Sequence, residues 1–138
     1  TRFFGDCRCF FLVKPNRQEL AATVGRRLDS QKDIFLAAHE LHKKGAQNVL
    51  VTDGSRPALA LFTDKQVRIT PPQVKVVHPT GAGDAFTGGL ATGLFWTWEI
   101  TDALKLAAAT GSAACLGDKV DLGEQIEKLV QQTEVEIL

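Results

Sequence analysis

Short continuous apolar runs bounded by turn residues alternate along this chain with longer stretches whose apolar residues recur every three or four positions. The first kind reads as strand buried on both faces, the second as helix. Cys9-Phe10-Phe11-Leu12-Val13 is the first run, and Pro15 stops it. Asn16 then opens a helix with Glu19 three residues on, the spacing of a capping box. Leu20, Ala21 and Val24 give that helix its apolar stripe, and Gly25 ends it. A second helix starts at Asp29 or Ser30, turns Ile34, Ala37, Ala38 and Leu41 inward, and stops at Lys43-Lys44-Gly45. Asn48 to Thr52 is the next strand and runs into turn chemistry at Asp53-Gly54-Ser55-Arg56-Pro57. Ala58 to Phe62 and Gln66 to Thr70 read as a hairpin around Thr63-Asp64-Lys65, broken by Pro71-Pro72. A further strand, Val74 to Val77, leads into a glycine turn.

From that turn a helix runs to about Trp96, with Phe86, Leu90, Leu94 and Phe95 as its apolar stripe. Gly88, Gly89 and Gly93 each lower intrinsic helix stability by about 1 kcal/mol relative to Ala, which implies close packing against the sheet. Trp96 and Trp98 close the helix as core and rim packing. Thr101 caps an Ala-rich helix in which Ala103, Leu104, Ala107, Ala108 and Ala114 are small and apolar, so it is buried; Gly117-Asp118-Lys119 ends it. Leu122 to Gln132 is amphipathic, with Ile126, Leu129 and Val130 inward, and Val135 to Leu138 adds a last short strand. The alternation predicts an α/β domain with a mainly parallel sheet. Such sheets bind ligands past the carboxyl ends of their strands, where Asn16, Thr52 and Asp84 all fall.

Composition narrows the function classes. A length of 138 residues suits one domain, residues 1–138. Sixteen Lys and Arg balance sixteen Asp and Glu, so no basic footprint for nucleic acid exists. No stretch approaches the roughly 20 apolar residues of a membrane span, and the first residues lack a signal-peptide layout. Three cysteines form no disulfide framework. Cys7 and Cys9 could share a strand face, but a metal site would need two more ligands and no second cluster offers them; Cys115 reads as a small core residue. Free thiols fit a cytoplasmic setting. His39 and His42 read as surface or boundary residues. The chain has no initiating Met and none elsewhere, and we expect a fragment or a processed piece.

The chemistry concentrates in Pro79-Thr80-Gly81-Ala82-Gly83-Asp84-Ala85-Phe86-Thr87-Gly88-Gly89-Leu90. Gly81 and Gly83 permit backbone shapes closed to other residues. The amides of Ala82, Gly83 and Asp84 open the helix, where unpaired donors and the helix dipole suit a phosphate. Asp84 stands beside that anion site and can accept a proton from an attacking hydroxyl, as phosphoryl transfer to an alcohol requires. Asp in a first helical turn is also a favoured structural choice.

The run from Thr80 to Gly89 resembles the signature of the ribokinase-like (pfkB) carbohydrate kinases, T/V-G-A-G-D-x-F-x-x-G. Lys14-Pro15-Asn16-Arg17-Gln18-Glu19-Leu20 is similar to the K-P-N-x-x-E-L segment of the same family. The resemblance covers about Lys14 to Leu138 and corresponds to the C-terminal half of such a kinase. It implies a three-layer α/β/α fold and ATP-dependent phosphorylation of a sugar or sugar phosphate. In the family the aspartate is the catalytic base and the turn amides form an anion hole, which assigns these roles to Asp84 and to Gly81, Ala82 and Gly83. Asn16 would lie near the nucleotide phosphates, and Glu19 would organise Mg2+ through water. Thr52, Asp53, Gly54, Ser55 and Arg56 follow the family's T-x-G-x-x-G strand end at the ATP site, with Pro57 in place of the last Gly. Ala108 and Ser112 would edge the adenine pocket.

His78-Pro79-Thr80 looks closer to the Asn-Pro-x-Gly form of the hexose-phosphate kinases, the 1-phosphofructokinase and tagatose-6-phosphate kinase subgroup. His78 departs from the Asp or Asn that helps bind a monovalent cation in some members. Pro57 and His78 also fit an alternative, a non-catalytic nucleotide-binding or interaction fragment derived from a kinase. The half that normally binds the sugar is absent, so the isolated chain is expected to be inactive and to self-associate, possible homo-oligomers included.

Overall fold

A computed structural model describes residues 11–62, 65–77, 80–96, 99–116 and 122–138. Cys7, Cys9, Phe10, the hairpin turn at 63–64, His78, Pro79, Trp98 and Gly117 to Lys119 lie outside the described residues. The elements are, in order, β1 (Leu12–Val13), α1 (Arg17–Val24), α2 (Gln31–Lys43), β2 (Asn48–Asp53), β3 (Arg56–Phe62), β4 (Lys65–Thr70), α3 (Ala82–Phe95), α4 (Ile100–Ala114), α5 (Leu122–Gln132) and β5 (Glu134–Ile137). They form two compact units, Thr1–Arg68 with Glu136–Leu138, and Ile69–Val135. The strands make one five-stranded sheet in the order β1-β2-β3-β4-β5. β1 pairs with β2 in parallel, and β2 pairs with β3 antiparallel.

In the first unit, α1 and α2 start on capping boxes. The Asn16 side chain accepts from the Glu19 amide at 2.8 Å, and Glu19 Oε2 accepts from the Asn16 amide at 2.9 Å. α2 is capped by Ser30, whose Oγ accepts from the Asp33 amide at 3.1 Å. Both helix ends are local solutions to the first-turn amides that have no intrahelical acceptor. Gly25 takes the left-handed conformation (φ 72°) that closes α1. Leu20, Ile34, Ala37, Ala38 and Leu41 then pack with Val13, Val49, Val51, Leu59 and Leu61 in one core. The alternate residues Leu50, Ala58, Ala60 and Phe62 are buried as well, so β2 and β3 have no solvent-facing apolar side.

The Ser30 box makes a pH prediction. Hydrogen bonding from the Ser30 side chain, then from the Asp29 amide, holds the Asp33 carboxyl below its ordinary range. A depressed folded pKa contributes stability that is full above the unfolded carboxylate pKa and is lost as pH falls through the lower folded value. The gap in melting temperature between the native chain and Asp33→Asn is therefore open near neutrality and narrows on acidification across that window. A gap independent of pH would contradict it.

In the second unit, α3 packs on α4 and α4 on α5. Ala109, Ala113 and Leu129 form a core joined by Val74, Leu116, Ile126 and Val130. Several expectations are corrected here. Val74 to Val77 form no strand; Pro71 and Pro72 lack amide donors just before them, and Val76 and Val77 are 51% and 53% exposed. One bond, from the Val77 amide to the Cys115 carbonyl at 2.7 Å, ties this segment to the end of α4. Phe95 is 79% exposed, because five residues past Leu90 it points away from the Phe86–Leu90 stripe. Trp96 is 63% exposed and stacks edge-on against Phe95 rather than entering the core. α4 begins one residue before Thr101, with Glu99 at its cap position. Gly89 serves a helix and not the sheet: a Cβ there would sit 2.8 Å from Thr110 Oγ1, 3.0 Å from Ala107 Cα and 3.1 Å from the Leu106 carbonyl.

Candidate functional site

The candidate residues fall into two groups, one in each unit. In the first unit the chain after β1 and the end of β2 come together. Asn16 and Thr52 form a parallel bridge, and the Thr52 amide donates to the Pro15 carbonyl at 3.2 Å. Asn16 and Glu19 are exposed, with one Glu19 oxygen committed to the capping box. The cap fixes both side chains at the mouth of the β1–α1 connection.

Beyond Thr52 the sequence predicts a loop through Pro57, and the structure makes a two-residue hairpin instead. Asp53 pairs with Arg56, and Gly54 turns the chain at φ 60° with Ser55. The register shifts between Val51 and Asp53: Val51 faces Leu59 whereas Asp53 faces Arg56. Thr52 therefore opposes two residues, Pro57 and Ala58. A proline is at home in such a bulge, because the ladder needs no amide from it. Gly54, Ser55 and Arg56 are exposed. Among the described residues, no hydrogen bond or ion pair engages the Arg56 guanidinium.

Asp53 is half-buried, and its carboxylate meets Arg17 Nη1 at 3.2 Å. Arg17 also donates from Nε to the Leu28 carbonyl at 2.7 Å and from Nη2 to the same oxygen. These side chains line an open groove of about 500 Å³ with Gln18, Arg27, Asp29 and Arg56. The Arg17–Asp53 pair was not foreseen, since nothing local links residues so far apart in sequence.

In the second unit, Gly81 caps α3 at φ 91°, a left-handed conformation unfavourable to residues with a Cβ, and contributes no side-chain cap. The first intrahelical bond runs from the Ala85 amide to the Gly81 carbonyl at 3.0 Å. The amides of Ala82, Gly83 and Asp84 precede it and have no acceptor within the helix. Asp84 occupies the third helical position and is exposed. Among the described residues no hydrogen bond or ion pair engages its carboxylate, so it is not the cap of its own helix.

α4 passes directly beside this turn. A Cβ on Gly111 would lie 3.1 Å from the Ala82 carbonyl and 3.4 Å from Phe86 Cβ. Gly111 was overlooked in sequence; its signal was a glycine inside an otherwise Ala-rich helix. Ala108 is 3% exposed and Ser112 half-buried, one turn apart on the helix that Gly111 brings to the start of α3.

Comparison with known proteins agrees with these motifs. The profile of the pfkB family carbohydrate kinase matches residues 7–126. The chain is 34% identical to 1-phosphofructokinase of Escherichia coli (strain K12) over 127 residues, 92% of this chain and 41% of that protein. Its fold is similar to phosphofructokinase-2 from Escherichia coli in complex with substrates and products, with a TM-score of 0.78 and 33% identity over 87% of this chain and 40% of that one. It is also similar to ribokinase from Arabidopsis thaliana complexed with ribose and ATP, with a TM-score of 0.76 and 28% identity over 87% and 40% of the two chains. The chain thus spans about two fifths of the length of the relatives it matches. With a matching family profile over most of its residues and an α/β fold shared with ribokinase-like sugar kinases, the chain belongs to the pfkB family of carbohydrate kinases.

Proposed function

We propose that the protein to which this chain contributes transfers the terminal phosphoryl group of ATP to a hydroxyl of a sugar or sugar phosphate. The observation that carries this reading is the start of α3, with three first-turn amides that have no acceptor within the helix, the left-handed Gly81, and an Asp84 carboxylate unengaged among the described residues. Asp84 accepts the proton of the attacking hydroxyl as oxygen bonds to phosphorus, and the bond to the departing ADP oxygen breaks. Gly81, Ala82 and Gly83 shape the cradle whose amides receive the charge on the phosphoryl oxygens.

In the first unit, Asn16 and the hairpin Thr52, Asp53, Gly54, Ser55 and Arg56 are assigned to the nucleotide phosphates. In the second, Ala108 and Ser112 are assigned to the base. Arabidopsis ribokinase, a structural neighbour, was seen with ATP, which supports this choice of donor. Mg2+ neutralises phosphate charge when it accompanies the nucleotide. Among the described residues no three His, Cys, Asp or Glu gather to hold a metal directly. The exposed Glu19 carboxylate, with one oxygen bound to its own cap, fits an attachment through water.

The names of the relatives favour a hexose phosphate as acceptor. The chain is the half that bears the nucleotide site and the base, and phosphoryl transfer needs the remaining length of the kinase. Among the described residues no helix is long and apolar enough to cross a membrane; we place the kinase in the cytoplasm. The exposed Phe95, Trp96, Val76 and Val77 support self-association of the isolated chain. The test is ATP turnover with a panel of sugars and sugar phosphates, with this chain and its full-length form side by side. Acceptor-dependent turnover in the long form alone is expected; turnover by the isolated chain, or ATP binding without turnover in the long form, contradicts the reading.

A further inference from the structure

We infer that Arg17 is a positioning residue that neutralises Asp53, so that the Thr52–Arg56 hairpin can accept a polyphosphate. This rests on the proposed nucleotide site and adds to it a residue pair that the pfkB motif match does not explain. Asp53 places a carboxylate at the root of the hairpin, one residue from Thr52 and one from Gly54. Left alone, it would repel an anion held by the hairpin amides and by Arg56. Arg17 Nη1 meets that carboxylate at 3.2 Å, and both side chains are only about a quarter exposed, at 25% and 27%. Nε and Nη2 each donate to the Leu28 carbonyl, which fixes the guanidinium where it faces Asp53. The arginine belongs to the first turn of α1, directly after Asn16, so the capping box and the hairpin root are joined through one side chain.

A purely mechanical role for Arg17, as a strut between the α1–α2 connection and β2, is the competing account, and charge separates the two. The probe is MgATP, and the readout is its affinity for the full-length form of the protein by calorimetry. Arg17→Gln should weaken binding about tenfold, which is about 1.4 kcal/mol. That loss should shrink as salt rises, because the repulsion is screened. Arg17→Gln with Asp53→Asn should return affinity to within about threefold of native, since no carboxylate is left to repel. Asp53→Asn leaves the two turn residues, Gly54 and Ser55, unchanged, so the hairpin is retained. Arg17→Lys keeps the charge and loses the fork, and should bind as the native form does. A double variant as weak as Arg17→Gln, or Arg17→Lys as weak as Arg17→Gln, overturns the charge role while leaving the nucleotide site intact. Absence of MgATP binding by the native full-length form overturns the nucleotide site itself, and this inference with it.

Discussion

Asp84→Asn in the full-length kinase is expected to lower kcat by about 10²–10⁴-fold, the range for loss of a general base, and to leave the affinity for ATP within a few fold. The split follows from the geometry. Asp84 sits at the third position of α3, exposed and unengaged among the described residues, so its removal breaks no contact that holds the helix. The three first-turn amides and Gly81 are backbone features and survive the substitution. Asn is close to Asp in shape and accepts no proton at working pH, so turnover falls through chemistry. Steady-state kinetics with a separate binding isotherm check it. A loss below about tenfold, or an equal loss in affinity and turnover, would move Asp84 from base to structural residue.

Gly89→Ala is expected to destabilise the chain by about 1–3 kcal/mol, the usual range for overpacking. Its Cβ would enter α4 at the Ala107 Cα and Leu106 carbonyl, and backbone cannot swing aside as a side chain can. Gly88 is the control. A Cβ there meets nothing within 4 Å, so Gly88→Ala should be neutral or stabilising by up to about 1 kcal/mol through helix propensity. Opposite shifts in thermal midpoint for adjacent glycines of one helix are the expected result. Equal shifts would mean that α3 and α4 do not approach as closely as Gly89 indicates.

What could be read from sequence was local. Asn16 with Glu19 announced the cap of α1, and the helix from Leu122 to Gln132 was bounded as the structure has it, because short-range hydrogen bonding and spacing decide both. The Phe86–Leu90 stripe and the buried face of α2 followed from helical period. The glycine turn was legible because the left-handed start of α3 calls for a glycine at position 81. The failures were matters of neighbours. Val74 to Val77 has strand composition, yet the prolines before it cannot join a ladder. Pro57 read as a loop residue, and only the register shift opposite Thr52 shows how a strand accommodates it. Gly89 was expected to meet the sheet and meets α4. Arg17 carried no reading of its own in the sequence, because its partner lies on another element.

The family and the fold of this chain stand on sequence and structure together, and the catalytic role we propose rests on the start of α3. The most direct test follows the label from ATP carrying a radioactive terminal phosphate into a sugar acceptor, with fructose 1-phosphate first in the panel and the full-length kinase as catalyst. The account predicts labelled, doubly phosphorylated hexose or another labelled sugar phosphate, formed only with magnesium and lost in Asp84→Ala. Bound ATP with no labelled sugar from any acceptor would contradict it.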